Sequence, residues 1–191
     1  MQQQIKKIVI IGPESTGKST LTQQLAEHYG TEWCEEYARE YLLANGTDYS
    51  YDDLLTIAKG QAALEDSCEL LVVSGQTKTY HLPLTTNNYK LLFIDTDMYV
   101  MKVWCEFVFG KCHPYIEEQI AERKYDLYLL CNIDLPWVKD ELREYPDEPP
   151  RIELYFIYKN ILQNQSVPWV DISGNYEERL QKAIEAVDRM V

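Results

Sequence analysis

Five apolar runs divide the chain, and the stretches between them repeat mostly with helical spacing. Ile5 to Ile11 is a β-branched run of the kind buried on both faces of a parallel sheet. A short second strand is expected near Thr31 to Cys34, a third at Leu91 to Ile94, a fourth at Tyr125 to Cys131 and a fifth at Val167 to Ile172. After the first run, Leu21, Leu25 and Tyr29 recur at helical intervals, and Gly30 stands where a C-terminal cap belongs. From Ser50 onward, Leu54, Ala58, Gln61, Ala62, Leu64, Cys68 and Leu71 trace an amphipathic helix. Met98 to Phe109 is apolar on most faces, which predicts a largely buried helix. Pro114 opens another, and Tyr176 to Val191 forms a last amphipathic one. Residues 74–90 are polar and read as a loop or hairpin. Strands alternating with helices predict an α/β protein with a five-stranded, mainly parallel sheet. No repeat or linker composition divides residues 1–191, so one domain is expected.

The turn after the first strand carries chemistry. Residues 12–19 read Gly-Pro-Glu-Ser-Thr-Gly-Lys-Ser, which is the phosphate-loop pattern G-x-x-x-x-G-K-[ST] in its required setting of strand, glycine loop and helix. An incidental glycine turn does not account for that context. Gly12 and Gly17 let the backbone curl around a phosphate, and Pro13, Glu14, Ser15 and Thr16 fill the curl. The following helix adds the partial positive charge of its N-terminus, beginning near Lys18, Ser19 and Thr20. Lys18 is placed to reach terminal phosphates and the Ser19 hydroxyl to ligate Mg²⁺. ATP and Mg²⁺ are therefore the expected nucleotide and cation.

A partner for the cation follows the third strand, at Asp95-Thr96-Asp97. An acid at the carboxyl end of a strand is where an α/β sheet places ligand chemistry. Residues two apart on a strand face the same side, so both carboxylates are expected in the cleft. Asp95 is assigned to the Mg²⁺ shell and Asp97 to the acceptor hydroxyl; alternatively, Asp97 is only the N-cap of the helix starting near Met98. Residues 135–151, rich in turn formers and carrying Arg143 and Arg151, fit a short helical lid whose arginines hold phosphoryl oxygens. The plainer alternative is an exposed connection in which they pair with neighbouring acids. Together these features describe a P-loop kinase-like α/β/α architecture.

Composition narrows the classes further. Hydrophobic residues at 46% and charged residues at 26% are globular values. The net charge of −13 excludes a basic nucleic-acid footprint and opposes attachment to an anionic membrane. No apolar run approaches bilayer length and no signal-peptide core is present, so a cytoplasmic protein is expected. Five cysteines without a Cys-x-x-Cys read as reduced core thiols, and three scattered histidines give no zinc spacing. The charge is uneven: residues 1–30 carry a net +1, whereas residues 31–69 carry −8. The fourth strand is followed by Asn132-Ile133-Asp134 without the lysine of a guanine reader, which removes the GTPases. At this length and with a lid, a small-molecule kinase leads.

The stretches Gly12 to Thr20, Glu36-Tyr-Ala-Arg-Glu40, Phe93-Ile-Asp-Thr-Asp97, Gly110-Lys-Cys-His-Pro114 and Trp137-Val-Lys-Asp-Glu-Leu-Arg143 occur in a characteristic order. Together they resemble the nicotinamide riboside kinase domain of the bacterial NAD-biosynthesis and regulatory proteins, over nearly the whole chain and as a stand-alone domain. The resemblance implies ATP-dependent phosphorylation of the ribose 5′-hydroxyl of a nicotinamide nucleoside. Such a substrate is cationic, so aromatic faces and carboxylates attract it. Glu36, Tyr37, Arg39, Asp97 and Trp104 are the substrate-side candidates, with Glu36 competing against Asp97 as general base. Trp104 at helical spacing among Val100, Val103 and Phe107 is more readily core, and Arg39 is also readable as a partner of Glu35 or Glu40. The chain departs from the family where aromatic residues are expected to stack on the base: Glu35 stands at one position and Glu65 to Ser67 span the other. Two other readings stay open: a nucleotide-switched regulator that senses a pyridine nucleotide without turnover, and a kinase for a different nucleoside or nucleotide.

Overall fold

The computed structural model describes residues 4–75, 89–139, 142 and 148–191. Its sheet has five strands, β1 (Gln4–Ile11), β2 (Trp33–Cys34), β3 (Tyr89–Asp95), β4 (Leu127–Cys131) and β5 (Trp169–Ile172), in the order β2-β3-β1-β4-β5. All pairings are parallel, so the mainly parallel expectation is met in full. The helices are α1 (Lys18–Tyr29), α2 (Tyr37–Asn45), α3 (Tyr51–Ser74), α4 (Met98–Phe109), α5 (Pro114–Glu122), α6 (Glu148–Gln163) and α7 (Tyr176–Asp188).

The two-residue period of the strands builds the three layers. Ile8 and Ile10 of β1, with Leu91 and Phe93 of β3 and Leu129 of β4, face α1 and α7. Val9, Ile11, Leu92, Ile94, Tyr128 and Leu130 face the other way, onto α3, α4 and α6. A third cluster, formed by Leu42 of α2, Leu54 and Ile57 of α3 and Met98 and Met101 of α4, lies beyond the sheet edge. β1 is the central strand, and Ile8 to Ile11 are completely buried. The loop that follows it therefore springs from the most constrained backbone in the molecule.

Local signals set the helix ends. Gly30 closes α1 in the left-handed conformation, its N–H bonding back to Ala26 and Glu27 carbonyls. Ser50 and Asp53 form a reciprocal capping box at the start of α3, and Asn175 with Glu178 does the same for α7. Helix α3 buries Leu54, Ala58, Gln61, Ala62 and Cys68 as expected, but also Glu65, while Leu64 and Leu71 are only half-buried. All five cysteines are free thiols, four of them buried. Of the polar stretch 74–90, Tyr89 and Lys90 belong to β3 and residues 76–88 lie outside the described residues. Among the described residues, no helix is long and apolar enough to cross a membrane.

Candidate active site

Residues 12–20 carry the chain from the end of β1 into α1. Gly12 has φ 145° and Gly17 φ 77°, both outside the range that side chains favour. At Gly12 an added Cβ would lie 2.8 Å from the Cys131 carbonyl oxygen, so the close approach of β1 and β4 requires glycine there. The curl is tied internally: the Thr16 hydroxyl and the Lys18 ammonium both donate to the Pro13 carbonyl, at 2.8 and 3.0 Å. Gly17 is the N-cap of α1 and offers no side chain to its first N–H groups, which a bound anion can satisfy. The loop is braced from the segment after β4 as well. The Val138 amide donates to the Ser15 hydroxyl at 2.9 Å and the Trp137 indole to Glu14 at 3.3 Å.

The two aspartates after β3 part company. Asp95 is the last strand residue and is completely buried beneath the loop, and neither of its carboxylate oxygens accepts a hydrogen bond. Burial, with the nearby Glu36 carboxylate, pushes its pKa up to about 7, while Lys18 and the Ser19 hydroxyl oppose the shift. Thr96 then takes φ 75°, which breaks the strand alternation, so the expectation that Asp95 and Asp97 share a face fails. Asp97 is the N-cap of α4: one oxygen accepts from the Tyr99 and Val100 amides at 3.0 and 3.3 Å, the other from the Tyr128 hydroxyl at 2.8 Å. It is 1% exposed and lines a small cavity with Tyr99, Tyr125 and Tyr128, apart from the phosphate loop. The assignment of Asp97 to the acceptor hydroxyl is thereby corrected to a structural cap.

Glu36 occupies the position that Asp97 does not. It is the N-cap of α2, half-buried, lines the cleft and accepts from the Thr96 hydroxyl at 3.4 Å. The cleft encloses about 250 Å³ between the loop and a wall made by α2, α4 and α6. Arg39 and Leu42 line it from α2, Val103, Trp104 and Phe107 from α4, and Leu154 and Tyr158 from α6. Trp104 is half-buried, and its indole N–H donates to the Tyr49 hydroxyl at 2.8 Å, with the two rings edge to face. Tyr37 does not reach the cleft. Its ring lies on Gly60 of α3, where a Cβ would come within 2.1 Å of it, and its amide donates to Gln61 at 2.7 Å. Its substrate-side assignment is therefore corrected to packing.

The other departures resolve in the same way. Glu65 is fully buried and receives Lys7 and Arg123, each at 3.2 Å, and the Tyr125 hydroxyl at 2.9 Å, so it faces away from the cleft. Arg151 lies in the first turn of α6, started by Pro149 and Pro150; it is 6% exposed and donates to the Leu135 carbonyl at 3.5 Å. Helix formation there buries it beside Leu135, whose side chain packs at Gly17, so Arg151 belongs to the helix that follows the lid segment rather than to an exposed loop. Arg143 lies outside the described residues, as do residues 140, 141 and 144–147 of the expected lid, from which Leu142 reaches the cleft wall.

Sequence reasoning passed over Arg179, which donates to the Thr16 carbonyl of the loop at 2.8 Å from within α7. A signal was available: a cation in the first turn of a helix opposes the macrodipole and needs a specific reason to be there. It also passed over α6, because Glu148 to Gln163 mixes apolar and polar residues with weak periodicity after two prolines.

Over 188 residues the chain is 27% identical to the trifunctional NAD biosynthesis/regulator protein NadR of Escherichia coli (strain K12), and equally to that of Salmonella typhimurium (strain LT2). The match covers 98% of this chain but 43% of each relative, so the chain spans less than half of their length. A crystal structure of NadR protein in complex with NAD and AMP-PNP superposes with a TM-score of 0.68 at 25% identity, over 97% of this chain and 49% of that one. A second, in complex with NR, superposes with a TM-score of 0.70 at 24% identity, over 97% and 51%. Thymidylate kinase from Ehrlichia chaffeensis shares the fold at 13% identity, with a TM-score of 0.59 over 96% of this chain and 99% of that one. Residues 7–179 match the AAA_28 family, described as an AAA domain, and the chain belongs to that family.

Proposed function

We propose that this protein is an ATP- and Mg²⁺-dependent kinase that phosphorylates the ribose 5′-hydroxyl of a nucleoside, with nicotinamide riboside as its substrate. The observation that carries the reading is one cleft lined by both a complete phosphate loop and the Glu36 carboxylate, with the buried Asp95 beneath the loop. The NadR structures that hold NR and an ATP analogue support the choice of ligands.

The residues fit a magnesium ion. The Ser19 hydroxyl and Asp95 carboxylate are hard oxygen donors, and the carboxylate lies buried without a hydrogen-bond donor on either oxygen. Among the described residues there is no cluster of three or more metal-ligating side chains, which suits a cation held mainly by phosphates and water. Bound there, it would offset charge on the β- and γ-phosphates. The phosphate loop and the start of α1 hold the triphosphate, and Lys18 swings from Pro13 to the γ-phosphate oxygens. The substrate's 5′-oxygen attacks the γ-phosphorus, the bond from that phosphorus to the β–γ bridging oxygen breaks, and ADP leaves. Glu36 accepts the hydroxyl proton. Val103, Trp104 and Phe107 give the base an apolar and aromatic wall, which attracts a pyridinium and excludes water.

A panel of nucleosides assayed under identical ATP and Mg²⁺ conditions tests the proposal. Formation of nicotinamide mononucleotide at a rate above that with the other nucleosides is expected. ATP binding without that product would refute the substrate, and turnover of another nucleoside would replace it.

A further inference from the structure

Arg179 is 3% exposed, an unusual place for a guanidinium. Its nitrogens reach three separate loops at the carboxyl edge of the sheet. Nη1 donates to the Thr16 carbonyl in the phosphate loop at 2.8 Å, and Nε to the Gly174 carbonyl in the β5–α7 turn at 2.8 Å. Nη2 donates to the Asn132 carbonyl after β4 at 2.7 Å and pairs with Asp134. Burial alone would raise the Asp134 carboxyl, but the Gly174 amide and Arg179 overcome it and hold it below its ordinary value. The ion pair is therefore formed at neutral pH, and the guanidinium is electrically compensated.

We infer that Arg179 is a positioning residue for nucleotide binding, a brace that fixes the carbonyl of Thr16 and so keeps the phosphate loop open for an anion. In such a loop the amides serve the phosphate only when the carbonyls are turned elsewhere. The carbonyl of Thr16, directly before Gly17 and Lys18, is the one most in need of an anchor, because glycine at 17 gives the backbone freedom to rotate. Arg179 supplies that anchor from a rigid helix. The same side chain locks the loop to the turn at Gly174 and to Asn132 and Asp134, from which the lid segment departs. Next to this brace, Leu135 and Tyr176 lie 3.1 and 3.5 Å from the space a Gly17 Cβ would occupy, so all three loops meet at the head of α1. An ammonium cannot span these acceptors, which separates lysine from arginine here.

The inference rests on the ATP reading of the cleft, and the test separates the two. Arg179→Lys and Arg179→Met are compared with Tyr29→Phe, which removes the bonds from the Tyr29 hydroxyl to Asp188 and Ile184 and so loosens α1 from α7 at the end away from the loop. Calorimetry with Mg-ATP and Mg-ADP should show affinity reduced by roughly tenfold in Arg179→Lys and more in Arg179→Met, and unchanged in Tyr29→Phe. Amide hydrogen exchange of residues 12–18, measured without nucleotide, should accelerate in both arginine variants and not in Tyr29→Phe. If Arg179→Lys binds ATP like the wild type, or loses no more affinity than Tyr29→Phe at equal melting temperature, with loop exchange unchanged, the residue only stabilises the fold and the inference is overturned. A wild type that binds no ATP refutes the nucleotide reading, and the exchange measurement then still decides whether the brace exists.

Discussion

Replacing Asp97 tests whether the two aspartates after β3 have different jobs. In Asp97→Ala, α4 loses its cap bonds to the Tyr99 and Val100 amides, at about 1 kcal/mol. The Tyr128 hydroxyl is left buried without its acceptor, at about 1–3 kcal/mol more. For a chain of this length each kcal/mol moves the melting temperature by about 2–4 °C, so a fall of roughly 4–16 °C is expected. Asp97→Asn keeps a capping oxygen and should melt within a few degrees of the wild type near neutral pH. The two should diverge with pH. Burial holds the Asp97 pKa at about 7, against an ordinary 3.8, with the Tyr128 bond opposing the rise. The folded protein thus keeps a proton that the unfolded chain sheds, and this stabilisation is full below about pH 4 and lost as pH climbs through 7. At ~1.4 kcal/mol per unit the wild type loses up to about 4 kcal/mol over that interval, a loss that Asp97→Asn does not share. The melting temperature of Asp97→Asn relative to wild type should therefore rise from pH 5 to pH 8. Both variants should turn over substrate at 20 °C, whereas Glu36→Gln should not. An Asp97→Asn protein that melts normally yet loses about a hundredfold in kcat, beside an active Glu36→Gln, would return the general base to Asp97.

Lys18→Ala should lower turnover by roughly a hundredfold or more while melting close to wild type, because Lys18 lies at the loop surface; retained activity would refute its phosphate role. Gly60→Ala should destabilise the protein by about 1 kcal/mol in a thermal melt. The Tyr37 ring atoms at 2.1–2.5 Å must move, and this outweighs the gain in helix propensity. Trp104→Ala should raise the KM for the nucleoside by roughly tenfold and leave that for ATP unchanged. Tyr49→Phe should do so more weakly, since it frees the indole that Tyr49 holds at 2.8 Å; equal effects on both KM values would make Trp104 core.

The sheet and the phosphate loop were legible because each has a short-range cause. β-Branched runs mark buried parallel strands, and Gly30, Ser50 and Asn175 mark helix ends within three residues of themselves. Facing was less legible, since it depends on a single dihedral: the positive φ of Thr96 sends Asp97 to the far side of the strand rule. Glu65 misled for another reason. A carboxylate on the buried stripe of a helix is readable only when its partners are known, and Lys7, Arg123 and Tyr125 lie 58 to 60 positions away. Arg151 and Arg179 show the same limit from the cationic side. Arginines in turn-rich sequence look available for phosphate, yet Arg151 is buried near Leu135, and Arg179, which touches the loop, lies on the last helix.

The contact between the segment after β4 and the phosphate loop bears on how this sequence can drift. Glu14 and Ser15 occupy positions that the loop pattern leaves open, yet each holds one residue of the segment after β4. The Trp137 contact runs through side chains at both ends, so changes at 14 and 137 should be inherited together. The Val138 contact uses only the main chain of its donor, so this bond sets no condition on the side chain at 138 but requires a short hydroxyl or its equivalent at 15. Substitution at these sites in descendants of this chain should therefore follow a paired rule at one and a one-sided rule at the other.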